Sequence, residues 1–164
     1  SESKGDSLVA EKNENSHKDE IQVVINQQTV LNTHERINTV YSGDIVKLEP
    51  GFARISLETN ETMRADDVGL VHGGFIFSAA DFAAMVAVNE PNVVLASCNC
   101  LFLAPVRVGD FVTFDATEHQ HEGRKRNVTV RGFVHDIKVF EGEFKTVITD
   151  RHVLRLDLMK NIDS

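Results

Sequence analysis

The sequence predicts an α+β domain in which a curved antiparallel sheet wraps around one long central helix. Residues 75–88 are apolar at every position except Ser78 and Asp81, and a run of that length with no polar side is the mark of a helix hidden from solvent. The stretches on both sides of it alternate or run apolar between turn formers and read as strands. No other element is left to cover the helix, so the sheet must do it.

In chain order, residues 1–20 are rich in Ser, Glu, Lys, Asn and Asp, with Leu8, Val9 and Ala10 as the only apolar cluster. That is too little to offset the entropy of ordering them, and a disordered acidic tail is expected. Residues 21–40 mix apolar and polar positions without a clean period, as a partly helical lead-in would. The main domain is expected over residues 41–150. It opens with two alternating stretches, 44–48 and 52–57, about Pro50-Gly51, which is a hairpin signature. A polar loop, 59–67, and the Gly-rich stretch 69–74 lead into the apolar helix, which Asn89-Glu90-Pro91 ends. Four more strands are expected, over 93–103, 111–117, 128–134 and 144–148, with a basic loop at 122–126. Residues 151–164 form a C-terminal extension.

The composition is that of an ordinary soluble domain, 41 % hydrophobic and 26 % charged. A formal net charge of -8 repels phosphate backbones, so no nucleic-acid partner is expected. No apolar stretch approaches the roughly 18 residues that span a bilayer, and the first residues lack a basic-then-apolar leader pattern, so a cytoplasmic location without membrane insertion is expected. Cys98 and Cys100, one residue apart on a strand, point to the same face and make neither a disulfide framework nor a metal knuckle. His119 and His121 also share a strand face, yet no further ligand is spaced to complete a site; no metal is expected.

Asp81 asks for an explanation. It stands among Phe77, Ala80, Phe82, Ala84 and Met85, where an unpartnered carboxylate costs several kcal/mol. Either a neighbouring hydroxyl or amide satisfies it, or it is a general base or nucleophile tuned by partial burial. Gly73-Gly74 stand where the helix starts, and the N–H groups of a first turn carry partial positive charge. A carbonyl oxygen docked there would be polarised, with no side chain in its way. Eight residues of helix separate Gly73 from Asp81 by roughly 12 Å. If both act on one reacting centre, they come from two chains across a twofold axis.

The segment from Gly69 through His72-Gly73-Gly74 to Asp81 resembles the signature of the phenylacetyl- and hydroxybenzoyl-type hotdog thioesterases. The likeness continues from Leu95 through Pro105-Val106 to Gly109-Asp110. The resemblance implies a hotdog fold, Asp81 as the catalytic carboxylate and Gly73 as the backbone donor to the thioester carbonyl. Asp66 falls where many members carry an Asn or Gln that holds the water or carbonyl, so that role is altered here. A second acid there would raise the pKa of Asp81 if the two come close, or else serve as a solvated loop acid. Residues 43–49 and 77–102 are also similar to the effector domain of the malonyl-CoA-sensing fatty-acid-synthesis repressors, which bind a thioester without cleaving it. Those have an amide at the position of Asp81 and a preceding helix-turn-helix, a pattern the acidic N-terminal stretch here does not show. The chain as a whole further resembles a flagella-coexpressed, virulence-associated hotdog protein, a likeness no single motif carries.

The expectation is therefore an acyl-CoA-binding protein, a thioester hydrolase or else a non-catalytic sensor acting through a protein partner. It would act as a homodimer or tetramer, on an acyl-CoA or an acyl-carrier-protein thioester. Asp81 and Gly73 are the expected catalytic groups. Asp66, His72 and Gly74 are the expected ligand contacts near them, His72 alternatively capping the helix. Arg124, Lys125 and Arg126 would meet the coenzyme A phosphates, unless they are only a solvated turn. No cofactor is expected beyond the coenzyme A moiety of the ligand.

Overall fold

The computed structural model describes residues 29–156. The acidic tail expected over residues 1–20, residues 21–28 of the lead-in, and residues 157–164 of the C-terminal extension lie outside the described residues. The elements are α1 (Thr39–Ser42), β1 (Asp44–Glu49), β2 (Phe52–Glu58), α2 (Gly73–Val88), β3 (Val93–Phe102), β4 (Phe111–Glu122), β5 (Lys125–Val134) and β6 (Ile137–Ile148). Single 3-10 turns lie at Glu61–Met63 and Val153–Arg155.

The six strands form one antiparallel sheet in the order β1-β2-β4-β5-β6-β3. Alternation puts Ala53, Ile55 and Leu57 of β2, Val112, Phe114 and Ala116 of β4, and Val128 and Val130 of β5 on the inner face, all of them buried. Helix α2 lies on that face, packed chiefly against β2, β4 and β5. Ten of its residues are buried, from Ile76 to Val88, and this explains why its sequence has no polar stripe. Asn89 stops the helix in the left-handed conformation (φ 56°, ψ 42°), its N–H donating to the Met85 carbonyl at 2.8 Å. The arrangement is the expected hotdog.

The hairpin about Pro50-Gly51 forms as expected, Gly51 supplying the positive φ of its turn. Two strands are longer than the sequence pattern suggests. β4 runs past Thr117 to Glu122, and β6 starts at Ile137 rather than near Phe144. Their extra residues carry polar side chains at most positions, so apolar alternation fades although ladder pairing continues, as in Glu122 with Lys125 and Glu141 with Arg131. The basic loop expected at 122–126 shrinks to a turn at Gly123 and Arg124, and Lys125 and Arg126 join β5.

Two glycines make room inside the sheet. Gly132 pairs with Phe114 on one side and Phe140 on the other, and a Cβ there would meet the Phe114 ring at 2.8 Å and the Phe140 Cβ at 3.3 Å. Gly142, beside Cys100, leaves the same kind of room for Phe144. Into this space Phe77 of α2 stacks on Phe144, ring centroids 5.7 Å apart.

Candidate active site

The two polar residues of α2 have opposite fates. Ser78 bonds the Ser42 hydroxyl at 2.9 Å, but Asp81 Oδ1 is buried with no hydrogen-bond partner. Burial pushes the Asp81 carboxyl up to about 6. The side chain lines a cavity of about 550 Å³ together with Met85 on its own helix, residues 91–95 at the start of β3, residues 33–37, and His152 and Val153.

Gly73 belongs to a different hollow. It lines a space of about 350 Å³ with Leu70, Ile76, Phe102, Leu103 and Pro105, among others, and a Cβ on it would lie in ordinary contact with the Phe102 ring at 3.5 Å. The separation of Gly73 from Asp81 expected from helix geometry is thus also a separation into two cavities of one chain. His72 is the N-cap of α2, but its side chain makes no cap hydrogen bond. Its ring instead turns edge-on to Phe75, centroids 6.0 Å apart, and lies over Gly74, where a Cβ would come within 2.9 Å of Nε2. Gly74 therefore accommodates the imidazole above the helix start.

Asp66 is committed to its own loop. Its Oδ1 accepts from the N–H groups of Val68, Gly69 and Leu70 at 3.0, 2.9 and 3.1 Å, and these bonds, Leu70 first, hold its carboxyl below the usual aspartate range. It acts as a loop cap, the second of the two alternatives the sequence left open, and is not among the causes of the Asp81 shift.

The basic trio does not form one cluster. Arg124, in the turn, pairs with Asp150. Lys125 is exposed on β5. The Arg126 side chain, 12 % exposed, is turned in beside Glu118 (3.8 Å) and Glu90 (4.0 Å), because consecutive strand residues face opposite ways. The three side chains therefore do not converge on one face, and Arg126 is the one turned inward. Cys98 and Cys100 are free and half-buried on β3, and burial, then Cys100 beside it, pushes the Cys98 thiol up to about 12, far from an activated thiolate. His119 bonds Glu143 at 2.8 Å and His121 lies beside Glu118.

Sequence reasoning missed the strap formed by residues 30–38, which supplies one wall of the Asp81 cavity. It is held by Asn89: the Asn32 N–H donates to Asn89 Oδ1 at 2.7 Å, and Asn89 Nδ2 donates to the Val30 carbonyl at 2.7 Å. The same asparagine that ends α2 thus anchors the strap, and nothing in the spacing of the two segments announces it.

Among known proteins, the family model described as the Thioesterase superfamily matches residues 68–139. The acyl-coenzyme A thioesterase PaaI of Escherichia coli (strain K12) is 31 % identical over 106 residues, 63 % of this chain and 70 % of that protein. The chain belongs to the hotdog thioesterase superfamily. A solved structure of an uncharacterized protein from Pyrococcus horikoshii is 39 % identical with a TM-score of 0.76, covering 77 % of this chain and 97 % of that one. That of a sigma28-regulated virulence protein from Campylobacter jejuni is 37 % identical with a TM-score of 0.73, covering 75 % and 95 %. Two other relatives are longer than this chain. The methylthioribose-1-phosphate isomerase of Aquifex aeolicus (strain VF5) is 55 % identical over 71 % of this chain, and the transcription factor FapR of Thermoanaerobacter sp. (strain X514) is 32 % identical over 69 %. This hotdog chain spans 26 % of the former's length and 57 % of the latter's. No helix among the described residues is long and apolar enough to cross a membrane.

Proposed function

We propose that this chain hydrolyses an acyl-CoA thioester, with Asp81 as general base or nucleophile and the Gly73 N–H of a second chain as donor to the carbonyl oxygen. The observation that carries the reading is the Asp81 carboxylate, whose Oδ1 is buried without a partner beside an open cavity. A group raised to about 6 is mostly ionised at pH 7 and more basic than a solvated aspartate, which suits it to take a proton from water. In that route the water oxygen adds to the carbonyl carbon as its proton passes to Asp81. The oxyanion is held at the helix start, and collapse expels the coenzyme A thiolate, which takes the proton back.

A homodimer is part of the proposal. β3 is an edge strand of ten residues whose outer rim has no partner strand among the described residues, and Leu101 and Phe102 on it are 60 % and 54 % exposed. Long apolar edges invite pairing with another chain, and pairing there would bring a second copy toward the cavities of the first. Arg124 and Lys125 remain the candidates for the phosphates of coenzyme A, whether free or as the phosphopantetheine of a carrier protein.

A non-catalytic sensor is the second reading, favoured by Asp66. Where the resemblance places an amide that holds the water, this chain has an acid whose oxygen is taken by three loop N–H groups. The similarity to a transcription factor over 69 % of the chain points the same way. Thiol release from short, medium, long and aromatic acyl-CoAs separates the two, with Asp81→Asn as control. Turnover that disappears in the variant supports the hydrolase and identifies its acyl class. Saturable binding without turnover on any member supports the sensor.

A further inference from the structure

The strap brings a second titratable group to the Asp81 cavity. His34 lines it together with Asp81, its ring 6.4 Å from that of Phe82, the residue after Asp81. Three features hold the imidazole in place. The backbone of His34 is left-handed (φ 53°), a conformation uncommon outside glycine that sets the direction of the side chain. The buried Thr33 hydroxyl meets Nδ1 at 2.7 Å and holds the orientation of the ring. The Asn89 clamp pins the chain just before it. A Thr33 hydroxyl that donates to Nδ1 leaves Nε2 as an N–H donor, and the one buried acceptor without a donor in this cavity is Asp81 Oδ1.

We propose that His34 is a positioning residue for Asp81, its Nε2–H holding a bridging water or the attacking water against the carboxylate. This rests on Asp81 being the working carboxylate of the site. Burial alone lowers the His34 pKa and raises that of Asp81, so any coupling between them runs through the bridging water and not through direct contact. The other ionisable groups about them are Glu35 and Arg36 on the strap, His152 on the C-terminal segment, and Cys98 on β3, whose thiol senses the Asp81 charge. Helix α2 contributes Asp81 alone to the cavity among its titratable groups.

The test is the imidazole titration of His34 followed by NMR in the wild-type protein and in Asp81→Asn. Loss of the facing carboxylate is expected to lower the His34 pKa by about half a unit or more; an unchanged titration would overturn the proposal. A second measurement uses His34→Asn, since asparagine tolerates the left-handed backbone. On whichever acyl-CoA is turned over, kcat should fall about tenfold or more at nearly constant KM. The acid limb of its pH profile should move to higher pH, because Asp81 loses the donor that favours its ionised form. A profile of unchanged position would mean that His34 only packs. If no acyl-CoA is cleaved, the hydrolase reading fails while the NMR titration still decides whether His34 and Asp81 are coupled.

Discussion

At the scale of single residues, two aspartates that look alike in the sequence do opposite work. Asp81 is raised to about 6 by burial, against about 4 for an unfolded aspartate. Between those values the folded chain binds the proton more tightly than the unfolded one, so this group's effect is to lower stability as pH rises from about 4 through 6. Asp81→Asn should therefore be close to neutral at pH 4 and more stable than wild type at pH 7.5, by on the order of 2 kcal/mol. Denaturant unfolding at the two pH values reads this directly, and equal shifts at both would show that the carboxylate is not strained. Asp66 is held below its usual range by three backbone donors, so its contribution is present above about pH 4 and fades as pH falls through the lowered folded value. In Asp66→Ala, amide exchange at Val68, Gly69 and Leu70 should quicken at neutral pH while β5 stays protected. Asp66→Asn should retain much of the protection, because an amide oxygen also accepts.

At the scale of elements, the buried helix and the first hairpin were legible because apolar periodicity and turn chemistry both pointed one way. Residues 75–88 had no polar face to show, and Pro50-Gly51 had no other use. The far half of β4 was not legible because residues 118–122 are all polar, nor was the first half of β6, where Lys138, Glu141 and Glu143 interrupt the pattern around the buried Val139 and Phe140. The strap was hidden for another reason: its anchors at Asn89 lie 57 and 59 residues away in the chain, and long-range polar clamps leave no periodic trace. Of the candidate site, Asp81 and Gly73 stood out by type and spacing, whereas His34 had no such signal, and the inward turn of Arg126 depended on a strand boundary placed too late. The glycines of the sheet were equally silent, yet they decide how the aromatic core fits. Gly132→Ala would drive a methyl group against the Phe114 ring and the Phe140 Cβ, neither of which can withdraw from a filled core. It should destabilise the protein by about 1–3 kcal/mol, measured as a lowered unfolding midpoint. An unchanged midpoint would mean that the rings have slack the packing does not suggest.

At the scale of the molecule, the placement of Gly73 and Asp81 in two cavities turns the proposed chemistry into a question about assembly. One substitution isolates the donor. Gly73 is the first residue of α2 and His72 before it is extended (φ −62°, ψ 133°), a backbone that already suits a residue preceding proline. Proline is favoured at the first helical position, where it removes one N–H and little else. The added carbons face the Phe102 ring, from which a Cβ would stand 3.5 Å away. Gly73→Pro should accordingly keep the fold and abolish turnover, as Asp81→Asn does. The two inactive proteins, unfolded together and refolded as an equal mixture, then give a result that a single-chain site cannot. Half the dimers carry one chain of each kind, and in these one of the two composite sites has both an intact donor and an intact carboxylate. Activity should return to about a quarter of wild type. A mixture that stays inactive while its chains still pair would place both groups' action within one chain, and the helix geometry would then require a reacting centre that only one of them touches.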